Sequence, residues 1–376
     1  MAARLTEAEI EAIARRIVSD LDGKPAAASA AASGGASPAG APMGIHPTVN
    51  AAVEAARKAQ PRFVALPLRG RAKVIEAIRA TMRENGAALA KAAWEETGLG
   101  RYEDKVVKNA LVTERTPGLE DLYPSAVTGD HGLSLIEPAP FGVIGALTPS
   151  TNPTSTIICN AIGMLAAGNA VVFSVHPSAK ECSIRTIALL NKAIVSAGGP
   201  PDVVTGVSAP SLESAQEVMK HPGIRLLVVT GGGAVVRAAM ASGKRAICAG
   251  PGNPPAVVDA SADIENAARC IIEGAAFDNN LLCLGEKEVF VEAPVYDAFM
   301  AAVEKIRAGI GGTVAAPLGI LLTLADYRLN VTEEIGKMIR GYYGRLVFKT
   351  EIRGNVRRQS VRRHRRREEE GPAGRS

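Results

Sequence analysis

Two hydrophobic periods alternate along most of this chain, and its elements begin and end where one period gives way to the other. A helical period opens it. Ile10, Ile13, Ala14, Ile17, Val18 and Leu21 share one face behind a capping-box pattern of Thr6 and Glu9, which predicts an amphipathic helix over residues 1–21. Residues 22–44 show no period and are rich in Ala, Ser, Gly and Pro, the composition of a flexible linker. From His46 to about Ala126 the spacing is helical again, with Trp94 in one of the longer helices. Residues 132–137 and 141–147 then read as two strands joined by a turn containing Pro138 and Pro140.

Beyond that point short β-branched runs alternate with helical stretches. Strands are predicted over 170–175, 202–207, 224–230 and 245–249, and helices over 180–196, 211–220 and 234–242. Repeated βα units of this kind predict an α/β fold with a doubly wound parallel sheet covered by helices on both faces. Ligands of such sheets bind beyond the carboxyl ends of the strands, which directs attention to the loops after Val175 and Thr230. No Gly-x-Gly-x-x-Gly pattern follows any strand, and Thr230-Gly231-Gly232-Gly233 is the nearest substitute. A further helix is predicted over 262–274, a strand over 288–291 and a helix over 295–307. After that the periodicity decays, with an apolar stretch at 311–324 and an Arg- and Glu-dense end.

Composition narrows the class. Hydrophobic residues make up 47% of the 376 and charged residues 22%, as expected of a soluble enzyme of two domains. No apolar run reaches membrane-spanning length, no secretory signal is evident, and the cytoplasm is the expected location. The net charge of +5 is local. Residues 351–376 hold nine Arg against four Glu, leaving 34 basic and 34 acidic residues elsewhere. A neutral body argues against nucleic acid as a partner. Five cysteines without metal-like spacing point to a reducing compartment and no metal site.

Among those cysteines, Cys159, Cys182 and Cys270 fall in predicted helices and Cys248 in a buried-looking strand, all read as small hydrophobes. Cys283 differs, because it follows the polar run Asp278-Asn279-Asn280 and precedes Gly285-Glu286-Lys287. Backbone donors and a nearby cation at such a loop end can stabilise a thiolate, whose unperturbed pKa is about 8.5.

Four segments carry a resemblance. Thr148-Pro149-Ser150-Thr151-Asn152-Pro153, Val229-Thr230-Gly231-Gly232-Gly233, Gly250-Pro251-Gly252-Asn253-Pro254-Pro255 and Phe277 through Cys283 resemble, in order, motifs of the aldehyde dehydrogenase superfamily. The resemblance covers about 47–305 and is strongest to the acylating propionaldehyde and acetaldehyde dehydrogenases of bacterial microcompartments. It implies residues 45–250 as a NAD-binding domain, 251–345 as an incomplete α/β catalytic domain and 346–376 as an aberrant basic tail. It implies Cys283 as the nucleophile and the Asn152 amide, with the Cys283 backbone N–H, as the oxyanion donors. It places NAD against Thr148, Pro149, Ser150, His176, Pro177, Thr230, Gly231, Gly232, Gly233, Ala249 and Gly250, with His176 where many relatives carry a ribose-binding lysine.

The same resemblance implies coenzyme A as co-substrate. Hydrolytic relatives carry a base glutamate where this chain has Ala249. Water, with a pKa of about 15.7, needs that base, whereas a thiol of pKa about 8.5 needs far less activation. A hydrolytic dehydrogenase and an inactive cargo protein are the alternatives. The N-terminal helix resembles the peptide that routes such enzymes to a shell protein, which implies the microcompartment lumen as location, and the family implies a homo-oligomer. After Arg307 the likeness fades, as in a truncated or frameshifted member, which predicts weak activity.

Overall fold

Short apolar runs with no polar face can only be satisfied in a layer covered on both sides, and that is how this chain uses them. The structure is a computed structural model that describes residues 42–310, 320–325, 337 and 347–353. The predicted N-terminal helix and most of the linker lie outside the described residues, as does the greater part of the basic tail.

The central sheet has six strands: β1 (Ile45–His46), β4 (Val143–Leu147), β5 (Ala170–Ser174), β6 (Val204–Val207), β7 (Leu226–Thr230) and β8 (Ala246–Ala249). They stand in the order β1-β6-β5-β4-β7-β8, and every neighbouring pair is parallel. Strands β4, β5 and β6 are buried at every position. Helices α1 (Val49–Val64), α2 (Leu68–Thr97), α3 (Tyr102–Arg115), α4 (Pro153–Ala166), α5 (Lys180–Ser196), α6 (Leu212–Lys220) and α7 (Gly233–Met240) accompany it. Phe63, Phe173, Ile78, Ile158, Ile162 and Leu190 are among the largest fully buried side chains of one continuous core. Ser211 caps α6 through a reciprocal pair of bonds with Ser214.

Several expectations are corrected. Residues near Ala126 are not helical but form β2 (Ser125–Gly129), which pairs antiparallel with β3 (Gly132–Ile136). The two segments expected to pair across prolines therefore part company, β3 into this hairpin and β4 into the parallel sheet. Asp130 and His131 close the hairpin between Gly129 and Gly132, and every position of both strands is exposed, so no buried face enforced a readable pattern. Strand β6 starts at Val204 because Asp202 takes a left-handed turn at φ 64. Strand β1 was not foreseen, since two residues carry no period.

By their internal contacts the described residues up to Val258, with Cys270–Phe290, form one unit, and Asp259–Arg269 with the described residues from Val291 form another. The first includes β9 (Pro255–Val258), which pairs with β10 (Glu288–Val291). In the second, α9 (Tyr296–Ile310) carries Lys305, whose Nζ bonds Glu265 Oε1 at 3.1 Å, and β11 (Ile320–Ala325) pairs parallel with β12 (Val347–Arg353). Helix α8 (Ile264–Ala276) has residues in both.

Candidate active site

The strand order sets out the cofactor end of the site. The chain passes from β4 to β5 to β6 in one direction and then returns to β7 and β8 on the other side of β4, which makes β4 and β7 the switch point of the sheet. Thr148-Pro149-Ser150, His176-Pro177, Thr230 through Gly233 and Ala249-Gly250 all sit at the carboxyl ends of adjacent strands, so the structure brings the sequence-predicted cofactor residues to one edge. Thr148 N donates to Ser174 O at 3.1 Å, and Gly231 N donates to Ala249 O at 3.1 Å.

Two features there suit an anionic dinucleotide. The Thr148 hydroxyl is buried without a hydrogen-bond partner, a state that a polar ligand would relieve. Gly232 caps α7 with no side-chain bond, and a Cβ added to it would meet nothing within 4 Å. The first N–H groups of that helix are therefore open to a phosphate. His176 has a local task, since its Nδ1 accepts from Ser178 N at 3.2 Å and caps the short turn Pro177–Ala179.

The loop that carries Cys283 is built against its own backbone preferences. Asp278, Asn279 and Asn280 take φ of 49, 54 and 57, three successive left-handed residues. Such residues cost roughly 1–2 kcal/mol each, least for Asn and Asp. The turn persists because its polar side chains are tied down. Asn280 Nδ2 donates to Ala275 O at 2.7 Å and to Glu286 O at 3.0 Å, and Lys287 Nζ donates to Leu282 O at 3.0 Å and Gly285 O at 3.1 Å. Cys283 follows, half-buried. A Cβ on Gly252 would fall 2.0 Å from the Cys283 carbonyl oxygen, so the Gly250–Pro255 motif passes directly beneath the nucleophile and needs glycine there.

The Asp278 side chain is fully buried and collects donors from α3 and the loop before it. Its Oδ1 accepts from Arg101 N at 2.8 Å, and its Oδ2 accepts from Lys105 Nζ at 3.4 Å and, more closely, from Lys108 Nζ. Its own N–H donates to Asp104 Oδ2 at 2.8 Å. Gly100, at φ 72, makes room, since a Cβ there would sit 2.0 Å from Asp278 Oδ1. The two lysines also reach the start of α4. Lys105 Nζ donates to Thr151 O at 3.1 Å, and Lys108 Nζ donates to Asn152 Oδ1 at 2.5 Å. Burial pulls the Lys108 pKa down, opposed by its bond to Asp278 and aided by the charge of Lys105.

Asn152 occupies the N-cap position of α4 yet makes no capping bond, which is unusual for asparagine there. Its side chain is committed instead to Lys108 and, through Nδ2, to Thr151 Oγ1 at 3.1 Å. Asn109 completes the seam by donating to Gly86 O at 2.9 Å and accepting from Thr154 Oγ1 at 3.0 Å. Sequence reasoning missed Lys105, Lys108 and Asn109, which are buried while Val107 and Leu111 on the same helix are exposed. The overlooked signal was a polar stripe at helical spacing: Lys105, Lys108, Asn109 and Thr113, all buried.

The remaining cysteines divide. Cys182 is buried as expected, whereas Cys270 is exposed and Cys159 and Cys248 are half-buried, which corrects the expectation that all four are interior hydrophobes. Strand β8 is the last of its sheet, so one face of Cys248 lacks cover. A separate cavity of about 310 Å³ is lined by Asn50, Glu54, Arg57, His221 and Arg225, none of them among the residues above. Among the described residues no group of three or more His, Cys, Asp or Glu is placed to hold a metal. No described helix is long and apolar enough to cross a membrane.

Comparison with known proteins agrees with this layout. The pattern of the aldehyde dehydrogenase family matches residues 32–314. The chain belongs to that family. It is 50% identical over 254 residues to an acetaldehyde dehydrogenase (acetylating) of Bilophila wadsworthia, covering 67% of this chain and 52% of that protein. The chain thus spans about half the length of the curated acetylating relatives it matches. A propionaldehyde dehydrogenase from the fucose utilisation microcompartment of Clostridium phytofermentans superposes with a TM-score of 0.68 at 48% identity, covering 70% of this chain and 61% of that one. The propionaldehyde dehydrogenase of Rhodopseudomonas palustris, solved with bound CoA and an acylated cysteine, gives 0.67 at 43% identity, over 79% of this chain and 64% of its own.

Two outcomes are expected. Asp278→Asn leaves two buried ammonium groups without a counter-charge, so urea unfolding should show a loss of about 3–5 kcal/mol; a loss below about 1 kcal/mol would show that the lysines do not depend on it. Burial, aided by the Glu96 carboxylate, pushes the Cys182 thiol up to about 12, so at pH 8 its thiolate is roughly one part in 10⁴. Iodoacetamide at pH 8 should label Cys270 and Cys283 in the native chain and spare Cys182. Equal labelling of all three by mass spectrometry would contradict the burial argument.

Proposed function

We propose that this chain oxidises a short aldehyde to its acyl-CoA through a thioester on Cys283. The observation that carries the reading is the seam in which one buried carboxylate, Asp278, joins the Cys283 loop to the helix start bearing Asn152. In the relatives named above, acetylating acetaldehyde and propionaldehyde oxidation are the recorded activities, and one of them holds CoA beside an acylated cysteine.

The reaction uses the residues as follows. The Cys283 thiolate adds through sulfur to the carbonyl carbon, and the carbonyl oxygen takes the electron pair. The Asn152 amide and the Cys283 backbone N–H donate to that oxygen, each such donor being worth about 2.7–4 kcal/mol in the transition state. Thr148, Pro149, Ser150, His176, Pro177, Thr230 through Gly233, Ala249 and Gly250 would hold NAD, which would supply the acceptor for the hydride lost from the aldehyde carbon as the thioester forms on sulfur. The coenzyme A thiolate then adds to the thioester carbonyl, and the Cys283 thiolate leaves. Ala249 offers no base for water, so transfer to a thiol is favoured over hydrolysis. Propionaldehyde and acetaldehyde both fit the relatives, and NADP is bound by a related engineered glycolyl-CoA reductase.

The partners follow the same reading. Residues 1–21 dock on a microcompartment shell protein through Ile10, Ile13 and Ile17, and the enzyme works in the compartment lumen. The β2–β3 hairpin is exposed at every position, and its Leu133 and Leu135, which share one face, are a surface for a second copy of the chain.

Replacing Cys283 with Ala should abolish acyl-CoA formation from propionaldehyde, NAD and coenzyme A, followed as NADH at 340 nm. Turnover equal to that of the unchanged chain would refute the nucleophile assignment. Residues 1–21 fused to a fluorescent protein should gather at microcompartment shells, and changing Ile10, Ile13 and Ile17 to Glu should disperse the fusion. Co-localisation that survives the triple change would remove the stripe as the signal.

A further inference from the structure

The buried seam contains more positive charge than its fold requires. Lys105 and Lys108 have side chains only 4% and 7% exposed, and both address one carboxylate, Asp278, which is 0% exposed. The remaining acid close by, Asp104, is taken by the Asp278 N–H and lies 3.6 Å from Arg101 Nε. Removing water from an ammonium group is expensive unless it is paired, and one carboxylate neutralises only one lysine. One lysine together with the Arg101 N–H would be enough to anchor the Cys283 loop.

Lys108, the nearer of the two lysines to Asp278, also reaches a neutral group. Lys108 Nζ meets Asn152 at its carbonyl oxygen, 2.5 Å away. An ammonium group has donors and no acceptor, so the amide cannot flip: that would set its NH₂ against NH₃⁺. The NH₂ end is thereby fixed outward. One of its two N–H groups goes to Thr151 Oγ1 at 3.1 Å, which leaves the other for a ligand. A cation on the carbonyl oxygen also draws electron density from the amide nitrogen, which makes its N–H groups better donors to an anion.

We infer that Lys108 is a positioning residue for acyl transfer at Cys283: it locks and polarises the Asn152 amide as an oxyanion donor, while Lys105 shares with it the buried charge of Asp278. This rests on the reading of Cys283 as nucleophile and Asn152 as donor to the oxyanion, and it adds to that reading the group that orients the donor.

The test uses the full 376-residue chain and a reaction that needs no cofactor. The Cys283 sulfur attacks the carbonyl of p-nitrophenyl acetate, the carbon–sulfur bond forms, the bond to p-nitrophenolate breaks, and the thiol proton passes to solvent. The burst of p-nitrophenolate reads the oxyanion step. Alkylation of Cys283 by iodoacetamide, a displacement at saturated carbon that forms no oxyanion, reads loop integrity.

Lys108→Met should slow the burst about 10-fold and Asn152→Ala about 100-fold. The double variant should be no slower than Asn152→Ala alone, because Lys108 acts through that amide. Lys108→Arg, which keeps a donor-only cation, should recover most of the rate, and Cys283 alkylation should change less than 2-fold in Lys108→Met. Equal bursts in the unchanged chain and Lys108→Met, or burst and alkylation falling together, would overturn the role of Lys108 and leave the nucleophile in place. A burst that persists in Cys283→Ala would overturn the nucleophile reading itself, and the role of Lys108 with it.

Discussion

Everything chemical in this protein hangs on a buried carboxylate. Asp278 lies in a left-handed turn that an unconstrained chain would leave, and it stays there because Arg101 N, Lys105 Nζ and Lys108 Nζ converge on its two oxygens. The turn is five residues from Cys283. The lysines stand on α3, whose position is set by the buried bonds of Asn109 to α2 and to the first turn of α4. The Cys283 loop is thus registered against the core by polar bonds across three helices, at a place where strain and desolvation would otherwise unmake it.

This arrangement explains why α3 is inside out. A surface helix normally buries its apolar stripe, yet here Val107 and Leu111 face outward while Lys105, Lys108, Asn109 and Thr113 are covered. The inversion is tolerable because the buried groups have partners: Asp278, Thr151 O, Gly86 O, Thr154 Oγ1 and the helix's own carbonyls. A second registration comes from Gly252, whose missing side chain lets one motif pass under the Cys283 carbonyl. The sheet adds a third, because its reversal at β4 gathers four separate loops at one edge.

The parallel sheet was readable from the chain because its signal is local and redundant. β4, β5 and β6 are short, mostly apolar and buried throughout, and each is followed by a helix of clear period. Elements without a buried face were readable only in part. Residues 132–137 read as a strand and β3 is one, but its exposed partner β2 and their pairing were not legible, and two-residue β1 exists only because β6 offers an edge. The motif residues Thr148, Asn152, Thr230 and Cys283 could be named from their order along the chain, which also carried the family likeness.

By itself, then, the sequence determined the strand and helix series, the candidate nucleophile and the loops that meet at the sheet edge, since periodicity and turn chemistry act within a few residues. Only the tertiary structure decided which face of α3 turns inward, and that Asp278, Lys105, Lys108 and Asn152 share one buried seam. Asp278 is 170 residues from Lys108, and the residues between leave no trace of that pairing in any local pattern. The energy of burying such charges depends on what else arrives at the same point, and that is a property of the folded chain alone.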